Sequence, residues 1–393
     1  MKNFFYRCSE CDSSFDITPS LMLCPNCQKH NAVNTPLRGI LQVDFKDITI
    51  KDSANIYDFL PVEKKYFPPI PVGNTPLWKP LNLSKELNLK NLFIKDDSAN
   101  PTASFKDRAS FLVGAFANKH HIDEIVLAST GNAASSMAGV GAAAGIKITI
   151  FLPRSAPKAK MVQSMQYGAN VILVDGNYDK AYELSLQYSK EKKVLSRNTA
   201  YNPLTIEGKK TVSIEIFNQL SRVPDYLFVP VGDGVILSGV FKGFCDLLKL
   251  GFIDKIPVIY AVQASGSDAI FRAINNNGEF NYQSTQTIAD SICVDVPRCG
   301  YLALKYLQKY NGKCVTITDQ EILSSQKKLS ETSGLFTEPA GAASLAGLLK
   351  VKEDIPKNAF VVLLTTGSGL KDTESALQGI HKEPITINNI ENI

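Results

Sequence analysis

The chain has 393 residues, of which 44% are hydrophobic and 20% are charged, and its formal net charge is +4. This composition is typical of a protein with two or three domains and a large core. No basic run is present, so the pattern favours a small-molecule partner and not a nucleic acid. No apolar stretch is long enough to span a bilayer, and the N-terminus lacks the apolar segment of a signal peptide. We therefore expect a cytoplasmic protein that does not bind membranes.

Four cysteines near the N-terminus form a C-x2-C-x12-C-x2-C pattern: Cys8, Cys11, Cys24 and Cys27. In a reducing compartment this spacing predicts a tetrahedral Zn²⁺ site, because two CxxC turns can hold four thiolates about 2.3 Å from one ion. Four thiolates leave no open coordination position, so the predicted zinc is structural. The alternatives are two disulfides, a ribbon without metal, or replacement of one thiolate by His30.

The cysteine-rich segment is followed by a proline-rich connector and then by alternating strand and helix patterns. The apolar runs are LFIK, EIVLAS, KITIFLP, NVILVD, YLFVPV, PVIYAVQ and VVLLTTG. Helical patterns such as SMAGVGAAAG and YDKAYELSLQYSK separate them. Continuous Val, Ile and Leu runs between helices are typical of parallel strands that are covered on both faces. The sequence therefore predicts a doubly wound α/β fold.

An isolated lysine, Lys106, lies in SANPTASFKDRAS, which begins like a turn and continues like the start of a helix. Ligands of α/β proteins bind where strands give way to helices. Phe105 and the small residues nearby would remove water from the lysine, which lowers its pKa and favours the neutral amine. The simpler alternative is a surface lysine that pairs with Asp107.

Three other turns follow apolar runs and open helices or end a strand. Residues 129–132 (STGN) precede a helix whose first backbone N–H groups can hold a carboxylate. Gly232 and Gly234 allow the backbone to approach a phosphate, and Thr366 places a hydroxyl at the end of a buried strand. Each turn alone could be free of ligand. Together with Lys106 they suit pyridoxal phosphate, which needs an amine, a phosphate site and a partner for its ring nitrogen.

With these motifs in place, the chain resembles the threonine synthase family of fold-type-II (tryptophan-synthase-β-like) pyridoxal-phosphate enzymes. The matching segments are GNTPL (73–77), NPTASFKDR (100–108), STGNAAS (129–135), NPLTIEGKKT (202–211), GDGVILSGVFKGF (232–244), EPAGAASLAGL (338–348) and TTGSGLKD (365–372). They keep the order of the family, many members of which also carry an N-terminal zinc ribbon. The resemblance implies two doubly wound parallel-sheet domains after the ribbon, pyridoxal 5'-phosphate and structural Zn²⁺ as cofactors, an amino-acid substrate and a homodimer.

The domain boundaries expected from this resemblance are a zinc ribbon (1–40), a connector (41–75), a large cofactor domain (76–98 and 197–385), a small α/β domain (99–196) and a tail (386–393).

The resemblance also implies roles for individual residues. Lys106 resembles the lysine that forms the Schiff base and acts as general base, Asn132 the residue that bonds the ring hydroxyl, and Thr366 the partner of the ring nitrogen. The implied phosphate loop consists of Gly232, Asp233, Gly234, Val235 and Ile236. The implied substrate-binding residues are Ser129, Thr130, Gly131, Ala133, Asn198, Thr199, Thr205 and Arg298.

Two positions depart from the pattern of the family. Ala133 stands where threonine synthases usually carry Thr, and Thr205 stands where they usually carry Arg, so a bidentate grip on a substrate phosphate is missing. Asn198, Thr199 and Arg298 could compensate, although Arg298 could also form an ordinary surface salt bridge.

The expected activity is that of a carbon–oxygen lyase, converting O-phospho-L-homoserine into L-threonine and phosphate. One alternative is β-elimination or β-replacement on serine, threonine or O-phosphoserine, as in dehydratases and cysteate synthase-like enzymes. Another is a non-catalytic protein that senses an amino acid or the cofactor.

Overall fold

The structure, a computed structural model, describes residues 3–156, 158–380 and 386. Its strands are β1 (Asn3–Cys8), β2 (Ser14–Phe15), β3 (Leu41–Lys46), β4 (Leu77–Trp78), β5 (Asn91–Asp96), β6 (Glu124–Ala128), β7 (Lys147–Pro153), β8 (Asn170–Val174), β9 (Leu195–Ser196), β10 (Tyr226–Pro230), β11 (Val258–Ala264), β12 (Lys313–Ile317) and β13 (Phe360–Thr365). Its α-helices are α1 (Leu81–Glu86), α2 (Asp107–Lys119), α3 (Asn132–Ala144), α4 (Lys158–Gln166), α5 (Tyr178–Lys192), α6 (Leu204–Lys209), α7 (Thr211–Leu220), α8 (Val235–Lys249), α9 (Ala269–Asn275), α10 (Gly300–Lys309), α11 (Asp319–Ser333), α12 (Pro339–Lys350) and α13 (Thr373–Leu377).

The N-terminal segment forms a small antiparallel sheet in the order β2-β1-β3. Strand β1 pairs along its whole length with β3, for example Tyr6 with Val43. Strand β3 lies in the segment predicted as a connector and pairs with β1, so this small sheet extends to residue 46. The sequence analysis did not predict β3, because its segment LQVDFK lacks the continuous apolar run by which the other strands were recognised. Its apolar and polar residues alternate instead, which is typical of a strand with one buried face.

Strands β4 to β13 form two larger sheets with helices on their faces. The larger sheet has the order β12-β11-β10-β13-β5-β4, and only its edge strand β4 runs antiparallel to its neighbour. The smaller sheet has the order β8-β7-β6-β9 and is parallel throughout. The α/β fold class is therefore confirmed.

Each apolar run singled out in the sequence forms a strand, and the two quoted helical patterns form α3 and α5. The strands of the larger sheet fall within 76–98 and 197–385, and those of the smaller sheet within 99–196. The domain boundaries themselves stay a prediction. Residues 381–385 and all of the predicted tail except residue 386 lie outside the described residues.

The topology places several functional turns on one side of the larger sheet. Because β5, β10 and β13 are parallel, the turns that follow them lie at the same edge of the sheet. Helix α8, which follows β10, packs into the main apolar core, since nearly all of its first ten residues are buried. Within the described residues, no helix is both long and apolar enough to cross a membrane.

Candidate active site

Lys106 immediately precedes α2 and faces a cavity of about 430 Å³. Both α/β units contribute to the cavity wall, the smaller through the turn after β6 and the start of α5, the larger through Asp233 and residues 290–298. The N–H of Phe105 donates a hydrogen bond of 2.8 Å to the carbonyl oxygen of Thr366. The turn after β13 is therefore attached directly to the lysine-bearing segment.

The surroundings of Lys106 favour its neutral form. Burial lowers the pKa of Lys106, and although the Asp233 and Glu338 carboxylates oppose this change, the Arg197 guanidinium reinforces it. The alternative of a surface pair with Asp107 is wrong, because Asp107 is fully buried and its carboxylate accepts a hydrogen bond of 2.8 Å from the N–H of Thr102. A lysine with a lowered pKa can act as a nucleophile or a base near neutral pH.

A buried network of charges fixes the helix that Lys106 precedes. The guanidinium of Arg108 donates to Asp97 at 2.5 Å and to Glu215 at 2.7 Å. Glu215 also accepts from the ammonium of Lys95 at 2.7 Å and from the N–H of Asn74 at 2.8 Å. Burial alone would raise the pKa of Glu215, but Arg108 and Lys95 lower it to about 2. The GNTPL and FKDR motifs thus meet at this network, which gives both a structural role.

The STGN turn follows β6 and leads into α3. Residues 129–133 all line the cavity. A Cβ at Gly131 would have a single neighbour within 4 Å, a carboxylate oxygen of Asp290 at 3.9 Å, so the space in front of the turn is open. Asn132 is the first residue of α3, and its amide donates to Glu338 at 2.9 Å and to Ser291 at 3.1 Å. The open space in front of this helix start suits a carboxylate ligand.

Glu338 is a residue of this region that the sequence analysis did not single out. It directly precedes α12 and is almost fully buried. Its carboxylate lies over Gly367, where a Cβ would come within 2.5 Å of it. Burial raises the pKa of Glu338, and the hydrogen bond from Asn132 opposes that change. The available signal was an acidic residue immediately before Pro339 at a helix start.

The glycine-rich loop after β10 has the geometry of a phosphate site. Gly234 has φ +85°, a conformation that favours glycine, and α8 begins at the next residue. A Cβ at Gly232 would lie 2.8 Å from the backbone of Ile292, so only glycine fits there. Asp233 lines the cavity, and its carboxylate accepts a hydrogen bond of 3.0 Å from the N–H of Val235. The next residue of the predicted loop, Ile236, lies buried in the first turn of the helix.

These features fit pyridoxal phosphate. The cofactor needs an amine of lowered pKa, an anion cradle at a helix start and a group near its ring nitrogen. Lys106, the loop that opens α8 and Thr366, which is 6% exposed at the end of β13, supply these three features. The assignment of single residues to parts of the cofactor stays a prediction.

The predicted substrate residues separate into two groups. Ala133, Thr199 and Arg298 line the cavity, as does the turn 129–131. The other two point into the protein: the Asn198 carboxamide bonds the Ala128 N–H and Ser185, both at 2.8 Å, and the Thr205 hydroxyl donates to the Asn202 carbonyl at 2.7 Å.

Arg298 has a carboxylate partner at the cavity wall. Its guanidinium donates to Asp179 at 2.8 Å and lies 5.1 Å from the centre of the Tyr182 ring. Arg298 therefore forms a salt bridge, as the alternative interpretation of this residue predicted. The bridge joins the two α/β units, because Asp179 belongs to α5 of the smaller one.

Two buried cations near Lys106 were also missed by the sequence analysis. Arg197 follows the two-residue strand β9, and Lys209 ends α6. Both side chains are fully buried. The available signals were a basic residue at the end of a short apolar run and the lysine pair of EGKKT.

The four N-terminal cysteines form one cluster. Their sulfur atoms all lie within 4.8 Å of one another, with Cys8 and Cys27 at 3.8 Å and Cys11 and Cys24 at 3.6 Å. Tetrahedral ligands at 2.3 Å from Zn²⁺ lie about 3.8 Å apart, so the cluster fits this ion. All four are free thiols, and the disulfide alternative is wrong for this structure.

Comparison with known proteins agrees with this geometry. The family model described as pyridoxal-phosphate dependent enzyme matches residues 70–367. A threonine synthase of Methanocaldococcus jannaschii is 35% identical over 97% of this chain and 96% of its own. A threonine synthase of Methanosarcina acetivorans is 31% identical over 99% of this chain and 98% of its own.

Solved structures share the fold. The processed form of threonine deaminase isoform 2 from Solanum lycopersicum has a TM-score of 0.68 at 22% identity, covering 84% of this chain and 94% of its own. Maize serine racemase has a TM-score of 0.69 at 24% identity, covering 78% of this chain and 91% of its own. On the strength of the family match and of relatives aligned over nearly its full length, the chain belongs to the pyridoxal-phosphate-dependent enzymes and, among them, to the threonine synthase family of lyases.

Proposed function

We propose that this enzyme converts O-phospho-L-homoserine and water into L-threonine and phosphate. The observation that carries the proposal is the common cavity, whose wall contains Lys106 with its lowered pKa, the start of α3, and Asp233 of the glycine-rich loop. Relatives named threonine synthase align with nearly the whole chain, which supports the same reaction here.

In this proposal the residues of the cavity have separate roles in binding and in proton transfer. The backbone N–H groups at the start of α3 hold the substrate carboxylate, and the loop that opens α8 holds the cofactor phosphate. When bound, pyridoxal phosphate supplies an electron sink for the substrate α-carbon. The Nζ atom of Lys106 removes the α-proton, for which its lowered pKa suits it. Asn132 and Thr366 orient the ring. The α- and β-carbons each lose a proton as phosphate leaves the γ-carbon. The γ- and α-carbons then each regain a proton, and water adds its hydroxyl group at the β-carbon and gives its remaining proton to the released phosphate.

The test is a substrate panel with purified protein. O-phosphohomoserine, O-phosphoserine, serine, threonine and homoserine are supplied separately, and phosphate, threonine and keto acid are measured. We expect equimolar threonine and phosphate from O-phosphohomoserine. Turnover of the other compounds without any threonine from O-phosphohomoserine would contradict the proposal.

A second candidate is β-elimination or β-replacement on serine, threonine or O-phosphoserine. The Ala133 side chain presents no donor to the cavity, and the Thr205 hydroxyl is bonded to the Asn202 carbonyl. Both features favour a smaller or less charged substrate. Keto acid released from serine or threonine in the same panel would support this reaction. The non-catalytic alternative is not retained, because the chain belongs to an enzyme family.

We also propose that the cysteine cluster holds one structural Zn²⁺. The sulfur separations support it, as does the absence of an open coordination position in a four-thiolate site. A homodimer and a cytoplasmic location stay predictions.

A further inference from the structure

Arg197 and Lys209 are buried, and no described carboxylate forms a salt bridge or hydrogen bond with either side chain. The guanidinium of Arg197 donates to Thr199 at 2.7 Å and lies 3.4 Å from the Ser110 hydroxyl, so its hydrogen bonds go to neutral groups. Burial lowers the pKa of Arg197 to about 10, against the attraction of Asp233. Removing an arginine from water at this cost is typical of a site that receives an anion.

Lys209 has even fewer contacts. Its Nζ atom is fully buried and has no hydrogen-bond partner among the residues that the structure describes. Burial lowers the pKa of Lys209 well below its ordinary value, and the charges of Lys106 and Arg197 lower it further. The neighbouring Lys210 is equally buried, but it donates to Asp246 and to the Phe59 carbonyl at 2.7 Å. Of these two buried lysines, only Lys209 has an ammonium group that no described residue bonds.

The two cations adjoin the cavity from behind its wall. Thr199, which Arg197 bonds, lines the cavity together with Lys106 and Asp233. The charged groups that act on Lys209 include Lys106, Arg197 and Asp233. Asp107 also attracts Arg197, and Glu338 also attracts Lys106, but none of these carboxylates forms a described hydrogen bond with Arg197 or Lys209. In the proposed function the cofactor phosphate lies at the loop that opens α8. The Nζ atom of Lys209, which has no described partner, and the Nε and Nη2 atoms of Arg197, whose contacts with Ser110 are long, therefore remain available to a second anion.

We propose that Arg197 and Lys209 form the subsite for the phosphate of a phosphorylated amino-acid substrate. The inference rests on the proposed function and names the residues that replace the missing arginine grip at position 205. Arg298 does not take this role, because Asp179 already neutralises it. Arg197 contacts the phosphate beside Thr199, and Lys209 supplies the balancing charge between that phosphate and the cofactor loop.

The test uses the holoenzyme, in which the cofactor occupies its own phosphate cradle, and inorganic phosphate as the probe. Calorimetric titration should give one phosphate site per chain in the wild type. Arg197→Gln and Lys209→Met should each weaken phosphate binding about ten- to hundredfold, the effect of losing one charge-assisted hydrogen bond. They should raise the KM for O-phosphohomoserine more than they lower kcat and leave the cofactor absorbance unchanged. Lys327→Met, at an exposed lysine of α11, is the matched control.

Unchanged phosphate affinity in both variants would overturn the proposal. Loss of cofactor from Lys209→Met with unchanged phosphate affinity would overturn the role of Lys209. If the variants do not fold, the titration of the wild type still tests the proposal, because failure of the wild-type holoenzyme to bind phosphate would contradict the subsite. Failure of the proposed reaction is distinguishable, because binding of phosphate that depends on Arg197 would persist even if no threonine formed.

Discussion

Glu215 joins the GNTPL segment to the helix that Lys106 precedes, so Glu215→Gln tests how the site is supported. The carboxylate accepts two hydrogen bonds of 2.7 Å from Arg108 and one of 2.7 Å from Lys95. The glutamine keeps the size of the side chain and removes its charge. Two buried cations then face Asp97 as their nearest remaining carboxylate in the network.

The magnitude follows from the pKa of Glu215. Its value of about 2, compared with an ordinary 4.5, is a depression of about 2.5 units, which corresponds to about 3 kcal/mol of stability. Breaking a buried ion pair from one side typically costs about 3–5 kcal/mol, which agrees. The variant should therefore lose about 3 kcal/mol of unfolding free energy at pH 7.

The assay is urea denaturation of both proteins across a range of pH. Because the folded pKa lies below the unfolded one, the contribution of Glu215 is complete above about pH 4.5 and disappears as the pH falls through about 2. The difference between the two proteins should shrink over that window. The control is Glu331→Gln, whose side chain is 63% exposed and 3.9 Å from Lys327, and it should change stability by less than about 0.5 kcal/mol. A loss below about 1 kcal/mol at pH 7, or one that does not vary with pH, would refute this reasoning.

Three further predictions concern the cofactor, the metal and the cavity wall. Borohydride should fix the cofactor to Lys106, and Lys106→Ala should lose both the visible absorbance of the bound cofactor and the activity; a variant that keeps them contradicts the assignment. Elemental analysis should find one zinc per chain. The double change Cys8→Ser and Cys11→Ser should remove the metal and increase proteolysis near the N-terminus without loss of the cofactor absorbance. A zinc-free preparation with full activity and normal protease resistance would disprove a structural metal. Arg298→Ala removes a partly exposed pair with Asp179, worth about 0–1 kcal/mol, and a contact with the Tyr182 ring, worth about 0.5–1 kcal/mol. Neither partner is assigned to the substrate, so the KM should change less than about tenfold in steady-state kinetics, and a larger change would mean that Arg298 binds substrate directly.

Local patterns were sufficient to predict most strands of the two larger sheets. A run such as YLFVPV becomes a strand wherever both of its faces are covered, and the glycines of GDG permit the turn that opens α8. The spacing of the four cysteines likewise restricts where they can meet, and the structure brings their sulfur atoms together. These properties depend on neighbours in sequence, and for that reason they were accessible without coordinates.

The hydrogen-bond and salt-bridge partners of buried polar and charged side chains could not be predicted from the sequence. Arg298 was a candidate for phosphate binding until the structure placed Asp179 beside it, and Asn198 proved to be bonded to Ala128 and Ser185.

Lys209 and Lys210 are indistinguishable as adjacent letters in EGKKT, yet Lys210 reaches Asp246 while Lys209 reaches no acceptor in the described chain. The sequence alone determined which residues have ionisable side chains that can be buried in the core. Only the tertiary structure decided which charges are matched, because a partner within about 3 Å comes from a separate element whose position depends on the packing of the whole chain.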